Sequence, residues 1–235
     1  MRYWTYAEIK SKVLKDLGLE QEESVRDDEL LAYCNEAIDE CESEIHTIYE
    51  DYFLTSATVD LVSGTSLYAM PSNIYANKIR GVVYRNGNTV YPVTRIKELN
   101  RFIDIMMTST NDTSASYRYF LINNSAATGI QMQLVPASRE TLPAAITMWY
   151  LRNANRMVAL TDICDIPEFT SFVIQWMKMR CYEKEGDGRF QAAATMTDQQ
   201  RQQMVETLSA MIPDGDTSLE ADTSHYRDMM IQGDM

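Results

Sequence analysis

The sequence is short of the residues on which catalytic and metal sites are most often built. Its two histidines, His46 and His225, lie in different parts of the chain and form no local metal motif. No HExxH, no phosphate-cradling GxxxxGK[ST], no GxGxxG after a strand and no GxSxG occurs. The four cysteines, Cys34, Cys41, Cys164 and Cys181, show neither CxxC spacing nor a disulfide-dense pattern, which points to a reducing compartment. No apolar run approaches the roughly 18 residues of a membrane span, and Met1 to Thr5 lack the apolar core of a signal peptide. The expectation is a chain made in a cytoplasm, with no membrane partner. Bases are also scarce, 21 Lys and Arg against 34 Asp and Glu. Tight binding to a phosphate backbone needs clustered cations, and none stand out along the chain.

What is present is an ordinary globular composition, 45% hydrophobic and 23% charged, over 235 residues. A chain of this length buries about 70% of the surface its unfolded form exposes. The net charge of −13 is unevenly spread: between Asp16 and Asp51 fourteen acids stand against one base, Arg26, and the remaining 20 acids and 20 bases cancel. Such a segment is either a solvated helix face or a surface that repels a polyanion.

Thr5-x-x-Glu8 has capping-box spacing, and Ile9, Val13, Leu14 and Leu17 before Gly18 give a short amphipathic helix over 5–17. Leu30, Leu31, Cys34, Ala37, Ile38, Cys41, Ile45, Ile48 and Tyr52 recur at three and four, with the acids opposite, and predict a helix at about 27–51 packed by one stripe. Cys34 and Cys41 fall on that stripe as small core residues, and His46 reads as a surface residue. From Thr55 the period is two. "LVSGTSLYAMPSNIYANKIRGVVYRNGNTVYPV", residues 61–93, reads as two hairpins end to end, turned at Ser63-Gly64 and Asn86-Gly87 and interrupted by Pro71. A brief helix at about 95–106 capped by Thr94, an exposed polar loop at 108–116, and strands at 117–122, 130–135 and 145–153 follow. Pro167-Glu168 opens an almost wholly apolar helix that Gly186-Asp187-Gly188 ends, and a further helix spans about 189–211 before Pro213. Residues 213–235 are acidic and lack a core, yet Tyr226, Met229, Met230 and Ile231 sit at three- and four-residue spacing, the pattern of a segment that folds on a partner.

No catalytic constellation emerges. The carboxylates of the acidic helix lack the apolar pocket that would raise one pKa, and the aromatics Tyr117, Tyr119 and Phe120 alternate as strand residues do. No catalytic, cofactor-binding or metal-ligating residue is assigned, and no cofactor.

Several stretches together resemble the head-to-tail adaptor (connector) proteins of short-tailed bacteriophages. "VDLVSGTSLYAMPSNI", with Gly64, Tyr68 and Pro71, is similar to the family's Gly turn before a Tyr-x-Leu-Pro ending, Met70 replacing the usual Leu. "YRYFLINNSAATGIQMQLVPASRETLPAAITMWYLRNA" is similar to its second hairpin, with Pro136 ending one strand and Tyr150 and Arg152 on the next. "DIPEFTSFVIQWMKMRCYEKEGD" resembles its carboxy-terminal helix, with Pro167, Glu168, Tyr182 and Gly186 in matching places. The resemblance covers about residues 5–212 and transfers no catalytic residue.

It implies an α+β fold: a helical module of N- and C-terminal helices with an inserted antiparallel β-sandwich-like region. The division expected is 1–54 N-terminal helices, 55–157 β region with a short helix, 158–212 C-terminal helices packed on the first pair, and 213–235 an extended segment. The implied function is a non-enzymatic virion protein at the head-to-tail junction. It would form a homo-oligomeric ring, twelve copies, between the portal and a downstream tail or nozzle protein, and the genome DNA would pass through without specific binding. Glu36, Asp39, Glu40 and Glu44 are then candidates for an acidic channel face, and Tyr226, Met229, Met230 and Ile231 for a portal contact. The alternatives are another tail or capsid-associated structural protein and, further off, an enzyme or stand-alone binding module.

Overall fold

Thr5 and Glu8 cap the first helix reciprocally. The Glu8 amide donates to Thr5 Oγ1 at 3.3 Å and the Thr5 amide donates to Glu8 Oε2 at 2.9 Å. In this computed structural model the helix, α1, runs Tyr6–Leu17 and stops at Gly18, whose φ of 73° suits glycine. The structure describes residues 2–19, 25–108, 117–125 and 129–212. The readings placed on 109–116 and on 213–235 lie outside the described residues.

Helix α2, Asp27–Ile48, ends three residues earlier than its periodicity suggested, and a short 3-10 turn, Glu50–Phe53, carries the chain out of it. Helix α4, Thr170–Glu185, packs against α1, α2 and α5, Phe190–Met211. That explains its missing polar face: Phe172, Val173, Met177 and Cys181 are buried on successive sides of one helix. Together with Ile9, Val13, Leu30, Cys34, Ile38, Cys41, Ile45, Met204 and Leu208 they form one apolar core. The connection leading into α4 is tied back at two places. Asn35 grips the backbone of Met157 with both ends of its amide, at 3.0 and 2.8 Å, and the Cys164 amide donates to the Trp4 carbonyl at 2.8 Å.

Between the helices the chain builds two four-stranded sheets. The strands are β1 Leu54–Leu61, β2 Leu67–Ala69, β3 Ile74–Asn86, β4 Thr89–Pro92, β5 Thr94–Arg95, β6 Arg118–Ser125, β7 Gly129–Val135 and β8 Leu142–Arg152. One sheet has the order β1-β8-β3-β4 and the other β2-β7-β6-β5. Their inner faces share a core of alternating residues: Val82 and Tyr84, Ile146, Met148 and Tyr150 on one side, Tyr68, Met132, Leu134, Tyr117 and Tyr119 on the other. The fold is α+β, a helical module with an inserted pair of packed sheets.

Three local readings are corrected. Ser63-Gly64 does not turn a hairpin, because β1 pairs with β8 and β2 with β7. The turn is instead a corner between sheets, held because the Gly64 amide donates to the Ser138 carbonyl at 2.7 Å and Tyr68 Oη donates to the Thr65 carbonyl at 3.1 Å. The second hairpin exists, but Asn86 pairs with Thr89, so its two-residue loop is Gly87-Asn88, with Gly87 at φ 57° in the place a type II′ turn gives to glycine. Thr94 and Arg95 are strand, not a helix start. They lie parallel to Arg118 and Tyr119, and α3 begins only at Leu99 and runs to Thr108. Buried Ile96, whose amide donates to the Tyr119 carbonyl at 2.8 Å, outweighs the capping potential of Thr94.

Candidate functional site

Sequence reasoning offered the flank of α2 as one candidate surface, and the structure gathers its four carboxylates there, each with a cation of the same chain. Glu36 Oε2 accepts from Arg180 Nε at 3.0 Å, and Asp39 Oδ2 from Arg156 at 2.5 Å. Arg201 bonds Glu44 and stands 3.4 Å from Glu40. Other described acids of the segment are partnered too: Asp16 with Lys12 and Lys178, Asp27 with Lys10, Glu29 with Lys184, and Glu50 and Asp51 with Lys78 and Arg80. Much of the charge imbalance along the sequence is therefore offset in space among the described residues, because α4 and α5 lay bases against α2, and β3 lays Lys78 and Arg80 against the 3-10 turn that follows it.

His46 is buried, 6% exposed, and corrects its reading as a surface residue. Its ring stacks on Tyr75 at 3.6 Å and 9°, and neither ring nitrogen has a hydrogen-bond partner among the described residues. Burial first, then the nearby Lys78 ammonium, push its pKa below 6.5. Glu42 Oε1 lies 3.6 Å from Nε2, and burial raises its carboxyl above 4.5. Tyr75 reaches the ring because β3 loses register between Ile74 and Ile79, where Ala76 and Asn77 adopt φ of 45° and 60°. The left-handed alanine costs about 1 kcal/mol or more. This knot, joined by the Arg152–Asp165 pair at 2.5 and 2.9 Å, sits where the helices meet the sheets.

All four cysteines are buried and unbridged. Burial pushes Cys34 up to about 12 and Cys181 up to about 11, and holds Cys41 well above the usual range, so none is a ready nucleophile. Among the described residues no three His, Cys, Asp or Glu gather to hold a metal. No helix among them is long and apolar enough to cross a membrane.

The surface is richer than the interior in candidate sites. Val158, Leu160 and Ile163 stand exposed near the start of α1, and Leu160 borders a shallow cleft with Ala7, Lys10, Ser11 and Leu14. On the sheet module, α3 buries Phe102 against Phe120, ring centroids 4.9 Å apart, while Leu99, Ile103 and Met107 face outward. Beside it a cleft gathers Arg95, Lys97, Arg101 and Arg118 with one carboxylate, Glu98. Sequence reading missed both features. The four-residue spacing of Leu99, Ile103 and Met107 was visible, as was the nearness of Arg95, Lys97 and Arg101, but Arg118 joins them only through the pairing of β5 with β6. Tyr226, Met229, Met230 and Ile231 lie outside the described residues.

These exposed surfaces suit a protein that works by contact. A family model described as SU10 adaptor protein matches residues 4–224. The chain belongs to the SU10 adaptor protein family. It is thereby a phage adaptor, a structural kind of protein that belongs to the virion and interacts with other virion components. No curated protein matches the chain. The match ends at residue 224, so the apolar cluster of the carboxy-terminal segment lies past it.

Proposed function

We propose that this adaptor forms a homo-oligomeric ring of twelve copies between the portal and a downstream tail or nozzle protein, and that the genome passes through the ring during ejection. The observation that carries this reading is the family match over nearly the whole chain. The proposed working units are 1–54 with 158–212 as one helical body, 55–157 as the sheet module, and 213–235 as the portal-seeking segment. Tyr226, Met229, Met230 and Ile231 are the proposed portal contact, their ordering cost offset by apolar burial.

Glu36, Asp39, Glu40 and Glu44 are proposed as the channel-facing flank. Their ion pairs serve such a channel in a way that bare repulsion does not, because they occupy Arg156, Arg180 and Arg201, which would otherwise grip passing phosphates. The proposed ring is assembled on the portal rather than in free solution. The test is the mass of the purified chain alone and mixed with portal. A monomer that becomes a twelve-copy complex only on portal supports the reading, and a chain that never associates with portal contradicts it.

A further inference from the structure

The outward stripe of α3 and the basic cleft beside it belong to neither core. Phe102 and Ile105 pack with Ile96, Phe120 and Val135, which leaves Leu99, Ile103 and Met107 on the far side, 57%, 39% and 71% exposed. The three stand at intervals of four, so they form one line along a ten-residue helix. Arg95, Lys97, Arg101 and Arg118 outnumber Glu98 in the adjoining cleft. An occupant matched to this face must carry acids and an apolar helical stripe together.

The chain itself contains such a segment. Residues 213–235 hold the acids Asp214, Asp216, Glu220, Asp222, Asp228 and Asp234 against one Arg227, followed or flanked by Tyr226, Met229, Met230 and Ile231. The segment starts beside Ile212, at the end of α5. Its 23 residues, fully extended, span up to about 75 Å, whereas a compact body of this size has a radius of gyration of about 17 Å. It can therefore reach any face of its own subunit. Tethering also supplies an effective concentration of about millimolar, so an intrinsic affinity of only about 0.1 mM keeps the face about ten-to-one occupied.

We propose that in the unassembled subunit residues 213–235 lie on this face of their own chain, the acids over the Arg95, Lys97, Arg101 and Arg118 cleft and the apolar residues on the Leu99, Ile103 and Met107 stripe. On assembly the portal takes over the same apolar residues; this second step rests on the reading under Proposed function, the first does not. The contact acts as a latch. A ten-to-one closed state lowers the apparent affinity for any competitor about tenfold, which delays portal capture and keeps Tyr226 and the methionines from sticking to one another.

The test is hydrogen exchange of the full-length chain, wild type against Tyr226→Ser with Met230→Ser. Amides of 99–108 are expected to exchange about tenfold faster in the variant and in wild type at high salt, with α2 and α4 unchanged. Equal exchange in wild type and variant would overturn the latch. So would protection that grows with protein concentration and survives the two substitutions, because a second copy would then be covering the stripe. Portal binding of the same variant is measured separately by co-sedimentation. Loss of α3 protection with portal binding intact supports the latch and counts against the shared portal contact; unchanged α3 exchange with lost portal binding does the reverse.

Discussion

His46 and the cysteines are the residues whose burial has the clearest consequences in solution. A histidine whose folded pKa lies below 6.5 binds fewer protons folded than unfolded, so stability is fully present above 6.5 and falls as pH drops below it. The slope approaches at most about 1.4 kcal/mol per pH unit. His46→Leu, which removes the titrating ring and its two unpaired nitrogens, is expected to flatten this slope in urea midpoints taken from neutral pH to below 6. An unchanged slope would place the titration elsewhere. Glu42 works in the opposite direction: its raised pKa lets the folded state hold a proton above 4.5, which favours folding as pH falls toward that value. The four thiols should be silent to a thiol reagent in the native protein and all react in denaturant. Rapid native labelling of even one would contradict the closed core. Cys34 and Cys41 were legible as core from their helical spacing, but the burial of His46 was not. It follows from a register slip in β3, a strand distant in sequence, and nothing local to His46 announces it.

At the scale of elements, the flank of α2 is where linear reading and structure diverge most. The periodicity predicted the helix and its buried stripe, because both depend on residues three and four apart. It could not foresee that Arg156, Arg180 and Arg201 arrive from the connection before α4, from α4 itself and from α5. Replacing Glu36, Asp39, Glu40 and Glu44 by their amides is therefore expected to lower stability by roughly 1–2 kcal/mol in total, the range for a few partly exposed ion pairs. The melting temperature should fall by about 2–4 °C for each kcal/mol, and the difference from wild type should narrow at high salt. A variant as stable as wild type at low salt would return these acids to a merely solvated face. Genome ejection from particles carrying the variant is expected to slow, since three arginines are released to meet phosphates. The sheet region shows the same divide between local and distant causes. Alternation revealed most of its strands and the Gly87 turn. The pairing of β1 with β8 and β2 with β7 depends on partners over 60 residues away, so a corner at Ser63-Gly64 passed for a hairpin.

For the whole molecule, the adaptor account joins three things: a helical body closed by one apolar core, a sheet module that keeps an apolar and basic face outward, and a carboxy-terminal segment proposed to exchange partners. The resemblance rested on order and spacing over most of the chain, and the family match covers a similar span. The carboxy-terminal contact was read from spacing together with the resemblance, and the basic face came into view once Arg118 of β6 was brought beside Arg95, Lys97 and Arg101. The account's central claim is a ring at the head-to-tail junction. The most direct measurement is a reconstruction of the virion without imposed symmetry, in which this chain is traced. The account predicts twelve copies in a ring directly beneath the portal, with residues 226–231 against portal subunits. Copies found away from the portal, or as isolated dimers in the particle, would contradict it.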